Sequence, residues 1–232
     1  MWGARVGNTK KIVDNLSKEG VGAVERGRAQ LEQMILCGEL QPGDHLNELS
    51  LAARFGIGRA HLREAVRALE EARLVQVIAN RGAHVRKLDL PEALELFDVR
   101  AGLARSAGRL AVLRGTRAQI KEIQEVHRHM GTATTKGDLS RFQQLNLRFH
   151  ALLFDAAANT RLRDMDLTVR NEMQLYIRNN VSSEAQMRVS CEEHGVIVSA
   201  LVSGDADACG AAFESHILNG KRRLMDNVPL TR

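Results

Sequence analysis

Aromatic side chains are scarce in this chain: one Trp, one Tyr and six Phe among 232 residues. Hydrophobic residues still make up 44% of it, so a real core is available, but that core must be aliphatic and Ala-rich. Such a core suits packed helices better than a β-sandwich. Cysteine is equally sparse. Cys37, Cys191 and Cys209 are odd in number and show no C-x-x-C spacing, which reads as buried or incidental thiols in a reducing cytoplasm. No apolar run is long enough to suggest a membrane span, and residues 1–22 lack the apolar core of a signal peptide. Internal repeats and low-complexity segments are absent, and so is an H-E-x-x-H metalloprotease motif.

The charge that is present is unevenly placed. The net charge is +5 and the sequence pI about 9.4, which permits a polyanionic partner. Residues 1–88 hold 14 Lys/Arg against 10 Asp/Glu, so nearly all of the basic excess lies there.

Pattern divides the chain at Leu88. Residues 1–22, rich in Gly and Lys, read as a flexible N-terminal arm. From Ala23 to Cys37 apolar residues recur at near-helical spacing, and Gly38 stops the run. Gln41-Pro42-Gly43-Asp44 is a turn, and Asn47 caps a second helix that ends near Phe55-Gly56. A third helix runs from Gly58 or Arg59 to about Ala72. Two β-prone runs, 74–78 and 83–86, are joined by Asn80-Arg81-Gly82. Residues 23–88 therefore read as a winged helix-turn-helix. Beyond Asp89-Leu90-Pro91-Glu92, a helix start, runs at about 91–114, 116–130, 138–157, 160–180, 183–203 and 205–226 are helical. Their short connections favour antiparallel neighbours, so residues 89–228 form an all-helical bundle. The fold class is mainly α.

On the third helix Arg59, Arg63 and Arg67 stand four residues apart and drift only about 40° per step, which makes one slanted basic stripe. Leu62, Val66 and Leu69 back it with an apolar face. Such a stripe is either a solvated face with Arg–Glu pairs or a surface that grips phosphate and guanine edges. The preceding helices and the basic hairpin favour DNA.

Among eight histidines, three have spacings with a chemical meaning. His150 follows Asn146 by four residues, so both leave one helix face. His194 and His216 lie ten and eleven residues from the Gly204-Asp205 turn, so an antiparallel hairpin sets both about 15 Å from it, side by side. Three imidazoles and an amide oxygen make a set for Zn²⁺ or a similar transition metal; buried, hydrogen-bonded histidines are the plain alternative.

The stretch ILCGELQPGDHLNELSLAARFGIGRAHLREAVRALEEARLVQVIANRGAHV resembles the DNA-binding domain of the GntR family of bacterial transcription regulators. Arg59, Arg63, Glu64, Ala65 and Gly82 match the family pattern; Gly58, Ala60 and His61 replace its Ser, Thr and Pro. The resemblance implies that Arg59 and Arg63 read bases or phosphates and that Arg67, Arg54 and Arg81 contact the backbone, with His61 able to supply a substitute contact. The motifs NLRFHALLFDAAANTRL, EEHGVIVSALVSGDADA and AFESHILNGKRRL are similar to the FCD effector domain of the FadR-type branch. That likeness maps a metal-ligand set onto Asn146, His150, His194 and His216, with Asn146 in place of the usual Asp. Arg100 matches a pocket arginine, although Ala104 replaces a Glu of the family motif.

These readings imply a cytoplasmic, dimeric repressor of double-stranded operator DNA. Its divalent metal is zinc, with nickel or manganese as substitutes, and its effector a small organic acid clamped by Arg100. Two alternatives stay open: a helical metalloenzyme with Glu192 or Glu193 as base, and a regulator whose metal is purely structural.

Overall fold

The computed structural model describes residues 6–177 and 183–226. The chain separates into two compact units, residues 1–88 and 89–232.

In the first unit α1 (Val6–Cys37), α2 (Glu48–Phe55) and α3 (Arg59–Glu71) precede a hairpin of β1 (Val75–Ile78) and β2 (Gly82–Val85). Helix α1 begins inside the segment expected as a loose arm. Gly20 and Gly22 sit within it at a cost of about 1 kcal/mol each relative to Ala, which a helix of this length absorbs. Residues 1–5 of that segment lie outside the described residues. Asn47 caps α2 by accepting a hydrogen bond from the Ser50 amide. Helix α3 buries Leu62, Ala65, Val66 and Leu69, the face expected from their spacing, and leaves its arginines in solvent. The hairpin pairs Val75 with Val85 and Ile78 with Gly82, antiparallel. Gly82 is required by its backbone, whose φ is +81°.

The second unit contains α4 (Leu90–Arg114), α5 (Arg117–Thr135), α6 (Leu139–Ala156), α7 (Thr160–Ile177), α8 (Glu184–Ser203) and α9 (Ala206–Asp226). Asp89 and Glu92 close a capping box at the start of α4, with Pro91 in its first turn. Helix α5 runs to Thr135, past the Gly131 expected to break it. Its buried face continues through Met130 to Ala133, and the hydroxyls of Thr132, Thr134 and Thr135 return hydrogen bonds to carbonyls one turn back. Lys136 caps its end, and the chain turns away at Gly137, at φ +65°. The expected extension of α7 to residue 180 falls outside the described residues.

Phe149, Phe154 and Phe213 fill the centre among aliphatic neighbours. Helix α4 packs antiparallel on α9, with Gly108 and Gly210 at the closest approach. A Cβ on Gly108 would lie 2.8 Å from the Cys209 carbonyl, and one on Gly210 would lie 2.8 Å from the Arg105 carbonyl. Arg105–Glu214 at 2.6 Å and Lys221–Asp98 at 2.6 Å extend this seam toward the site. Cys209 is buried in it, and burial pushes its thiol up to about 11, so it stays protonated.

Candidate functional site

Helices α6, α8 and α9 each deliver one histidine to a single point in the second unit. The Nε2 atoms of His150 and His194 are 3.1 Å apart, those of His150 and His216 3.1 Å, and those of His194 and His216 3.2 Å. All three rings are buried. The α8–α9 hairpin places His194 beside His216 as counting residues from the Gly204 turn predicts, and α6 brings His150 across. Phe149 packs its ring on His194 at a centroid distance of 4.6 Å, and Phe213 packs on His150 at 5.4 Å.

Each ring is held differently from behind. His216 Nδ1 donates to Glu193 Oε2 at 2.7 Å. Glu193 in turn accepts from both Arg223 guanidinium nitrogens, at 2.7 and 3.1 Å, and from Asn219 at 3.0 Å. Burial alone would raise the Glu193 carboxyl, but the hydrogen bonds from His216 and Arg223 outweigh it and hold it at about 2. His150 Nδ1 accepts from Arg100 Nη2 at 3.1 Å, and Arg100 Nε donates to the buried Asp166 at 2.8 Å. His194 Nδ1 has no hydrogen-bond partner. Burial pushes all three imidazoles below their ordinary 6.5, with Arg100 adding to the effect at His150 and Glu193 opposing it at His216. The cluster is therefore a set of neutral imidazoles, the form that binds metal.

The donor set fits a transition-metal ion. Arms of ~2.0–2.1 Å space nitrogen ligands ~3.3–3.4 Å apart at tetrahedral angles and ~2.9–3.0 Å apart at right angles. The observed separations of 3.1–3.2 Å lie between the two. The Oδ1 of Asn146 is buried without a hydrogen-bond partner and needs one. Asn146 lines a cavity of about 210 Å³ together with Arg100, His150 and His216. The carboxylate behind His216 is the partner that orients and strengthens a metal-bound imidazole.

Sequence reasoning missed Asp166, Asn219 and Arg223, and it placed Glu193 only in the enzyme alternative, where Glu192 or Glu193 would be the base. A carboxyl held near 2 and occupied by three donors is a poor base, and Glu192 is exposed. The signal that could have found the α9 partners is their spacing: His216, Asn219 and Arg223 fall on one helix face. Nothing in the sequence joins Asp166 to Arg100, 66 residues away.

The basic stripe of the first unit is built otherwise. Arg59, His61, Arg63 and Arg67 stand on α3, Arg54 ends α2, and Arg81 lies at the hairpin tip between Asn80, at φ +61°, and Gly82. Arg63 Nε contacts Glu48 at 2.8 Å, Arg67 contacts Glu64 at 3.2 Å, and Arg54 pairs with Glu39. Of the Arg–Glu pairs that a plain solvated face would carry, Arg67–Glu64 lies on the stripe itself, while Arg63 reaches Glu48 on α2. Yet the side chains of Arg63 and Arg67 remain 58% and 72% exposed. Ion pairs that open to water contribute only ~0–1 kcal/mol, so phosphate can displace them.

Comparison with known proteins agrees with this two-part construction. Residues 24–85 match the model for bacterial regulatory proteins of the gntR family, and residues 95–219 match the FCD domain. The Nta operon transcriptional regulator of Aminobacter aminovorans is 30% identical, covering 76% of this chain and 82% of that protein. The transcriptional regulator LutR of Bacillus subtilis is 27% identical over 80% of this chain and 94% of its own length. The repressor GlaR of Escherichia coli is 24% identical over 83% and 91%. Among solved structures, E. coli McbR/YncC superposes with a TM-score of 0.74 at 21% identity, over 88% of this chain and 97% of that one, which speaks for the fold. Among the described residues no helix is long and apolar enough to cross a membrane. A winged helix-turn-helix followed by an FCD bundle, with relatives of the same build along most of its length, makes this chain a transcription regulator of the GntR family rather than an enzyme.

Proposed function

We propose that this regulator is a cytoplasmic, dimeric repressor whose operator affinity is set by a small carboxylate bound at a metal in the helical unit. The observation that carries this reading is the convergence of three neutral imidazoles beside a cavity that also holds Asn146 and Arg100. His150, His194 and His216 would hold the ion through Nε2, with the Asn146 oxygen as a fourth ligand. Zinc suits this donor set best, and nickel or manganese are substitutes. The ion's contribution is charge. Neutral ligands leave its +2 uncompensated, which favours an anion in the cavity. The cavity's 210 Å³ lies below the ~300–1,000 Å³ of drug-sized sites, so it favours a small acid.

At the other end, Arg59 and Arg63 read the operator from α3, with Arg67, Arg54, His61 and Arg81 placed for the phosphates. A dimer offers two such heads to half-sites about one helical turn apart. Acid binding shifts their placement and so loosens the operator, a coupling that is reciprocal. Fluorescence anisotropy on DNA from upstream of its own gene tests the scheme, with lactate, malate and citrate as probes and with zinc-loaded or chelated protein. Release by an acid from the zinc-loaded protein alone is expected. Equal release after chelation overturns the metal's part, and no release by any of the three acids overturns the effector class. A purely structural metal predicts loss of stability on chelation with no response to acid.

A further inference from the structure

The Arg100–His150 hydrogen bond has a definite sense. A guanidinium has no lone pair to offer, so Arg100 Nη2 donates and His150 Nδ1 accepts. That excludes both the imidazolium and the Nδ1–H tautomer. His150 therefore carries its proton on Nε2, directed at His194 and His216 Nε2, each 3.1 Å away. His216 is the reverse case. The Glu193 carboxylate can only accept, so the His216 proton sits on Nδ1 and the Nε2 lone pair faces the cluster. One histidine is ready for a metal, and its neighbour is locked in the state that cannot bind one at the same point.

We infer that Arg100 is a tautomer lock on His150, so that metal loading breaks the Arg100–His150 bond and turns the freed guanidinium edge to an anion in the cavity. The inference rests on the metal-and-acid reading of the site given above. Ligation through Nε2 sends that proton to solvent and requires one to return to Nδ1, leaving the ring neutral. Nδ1–H then opposes Arg100 N–H, donor against donor, and the contact cannot persist. Arg100 stays anchored, because its Nε remains on Asp166 at 2.8 Å. Only the Nη2 edge is released, and Arg100 already lines the cavity. An acid that takes up this edge relieves the cost of breaking the bond, so metal and acid strengthen each other's binding by equal factors. Arg100 thereby acts as a positioning residue for His150 as well as a clamp.

Long-range proton–nitrogen NMR on full-length, ¹⁵N-His-labelled protein reads the tautomer directly. His150 is expected as Nε2–H in metal-free protein and as Nδ1–H once zinc is added, whatever the operator does. In lactate-free buffer Arg100→Gln, whose amide accepts either tautomer, should bind zinc about tenfold more tightly than wild type, as expected for removal of one charged hydrogen bond that opposes ligation. It should also lose the lactate-dependent gain in zinc affinity, while Arg100→Lys, which keeps a cationic donor, retains the weaker wild-type affinity. If Arg100→Gln does not fold, the wild-type spectra decide alone. Nδ1–H in the metal-free protein, or Nε2–H retained after zinc uptake, overturns this inference and leaves the metal site standing. No zinc uptake by wild type overturns both.

Discussion

The arginines of α3 and the histidines of the helical unit are both triplets of polar side chains, yet they are held in opposite ways. Arg63 and Arg67 each touch one carboxylate, in the open, 58% and 72% exposed. His150 and His216 are buried and gripped from behind by Arg100 and Glu193, which are themselves anchored by Asp166, Arg223 and Asn219. A surface that must exchange one anion for another profits from weak partners. At the histidines firm partners fix the tautomer instead: Glu193 turns a lone pair of His216 to the cluster, and Arg100 turns an N–H of His150 to it.

Substitutions should separate the two triplets in proportion to how tightly each is held. His194→Ala removes a ring with no exposed surface, and calorimetric titration should show zinc affinity falling by at least ~100-fold. The same change should destabilise the unit by ~2–5 kcal/mol in thermal melts, as other large-to-small core changes do. Retention of zinc by that variant would make the histidines as dispensable as surface groups.

Acid comes next. The three folded rings titrate below 6.5, so beneath that pH the unfolded chain binds more protons than the folded one. Stability of the metal-free protein is therefore intact above about pH 6.5 and falls below it, by up to ~1.4 kcal/mol per pH unit for each ring. Glu193, held at about 2 against an ordinary 4.5, adds a loss of the same sign below pH 4.5. Urea melts at pH 7.5 and 5.5 read this directly, and a flat profile would mean the rings are not shielded.

Arg63→Ala should cost ~1–3 kcal/mol of operator binding in a gel-shift titration with the circular dichroism spectrum unchanged. Unchanged affinity would return the stripe to a solvated face. Arg67→Ala should have the smallest effect, a few-fold loss equal across sequences and a salt slope shallower by about one counterion.

What was legible in the sequence follows the same division. Helix caps, the hairpin turn and the apolar face of α3 are local, so periodicity and turn chemistry reveal them. The His194–His216 pairing is tertiary, but a tight turn converts it into counting. The end of α5 was misplaced because Gly131 looks like punctuation while the buried row of Met130 and Ala133 outweighs its propensity. The start of α1 at Val6 is hidden for a related reason, since Gly and Lys inside a long helix resemble a loop by composition. Asp166 behind Arg100, and Glu193 as the anchor of His216, depend on which helices meet, and single-helix patterns carry no trace of that.

The seam between α4 and α9 sets the tolerance of the whole apparatus. Arg100 lies two turns from Gly108 on one helix, and His216 lies under two turns from Gly210 on the other. Because backbone lies close to backbone at those glycines, the two helices have little freedom in their spacing, and the placement of Arg100 relative to His216 is cut to that gauge. A single methyl group added at Gly108 or Gly210 is a shim. It touches neither the histidines nor the cavity, yet it puts Arg100 and His216 out of true, a route by which the sensor can be mis-set without any change to its ligands.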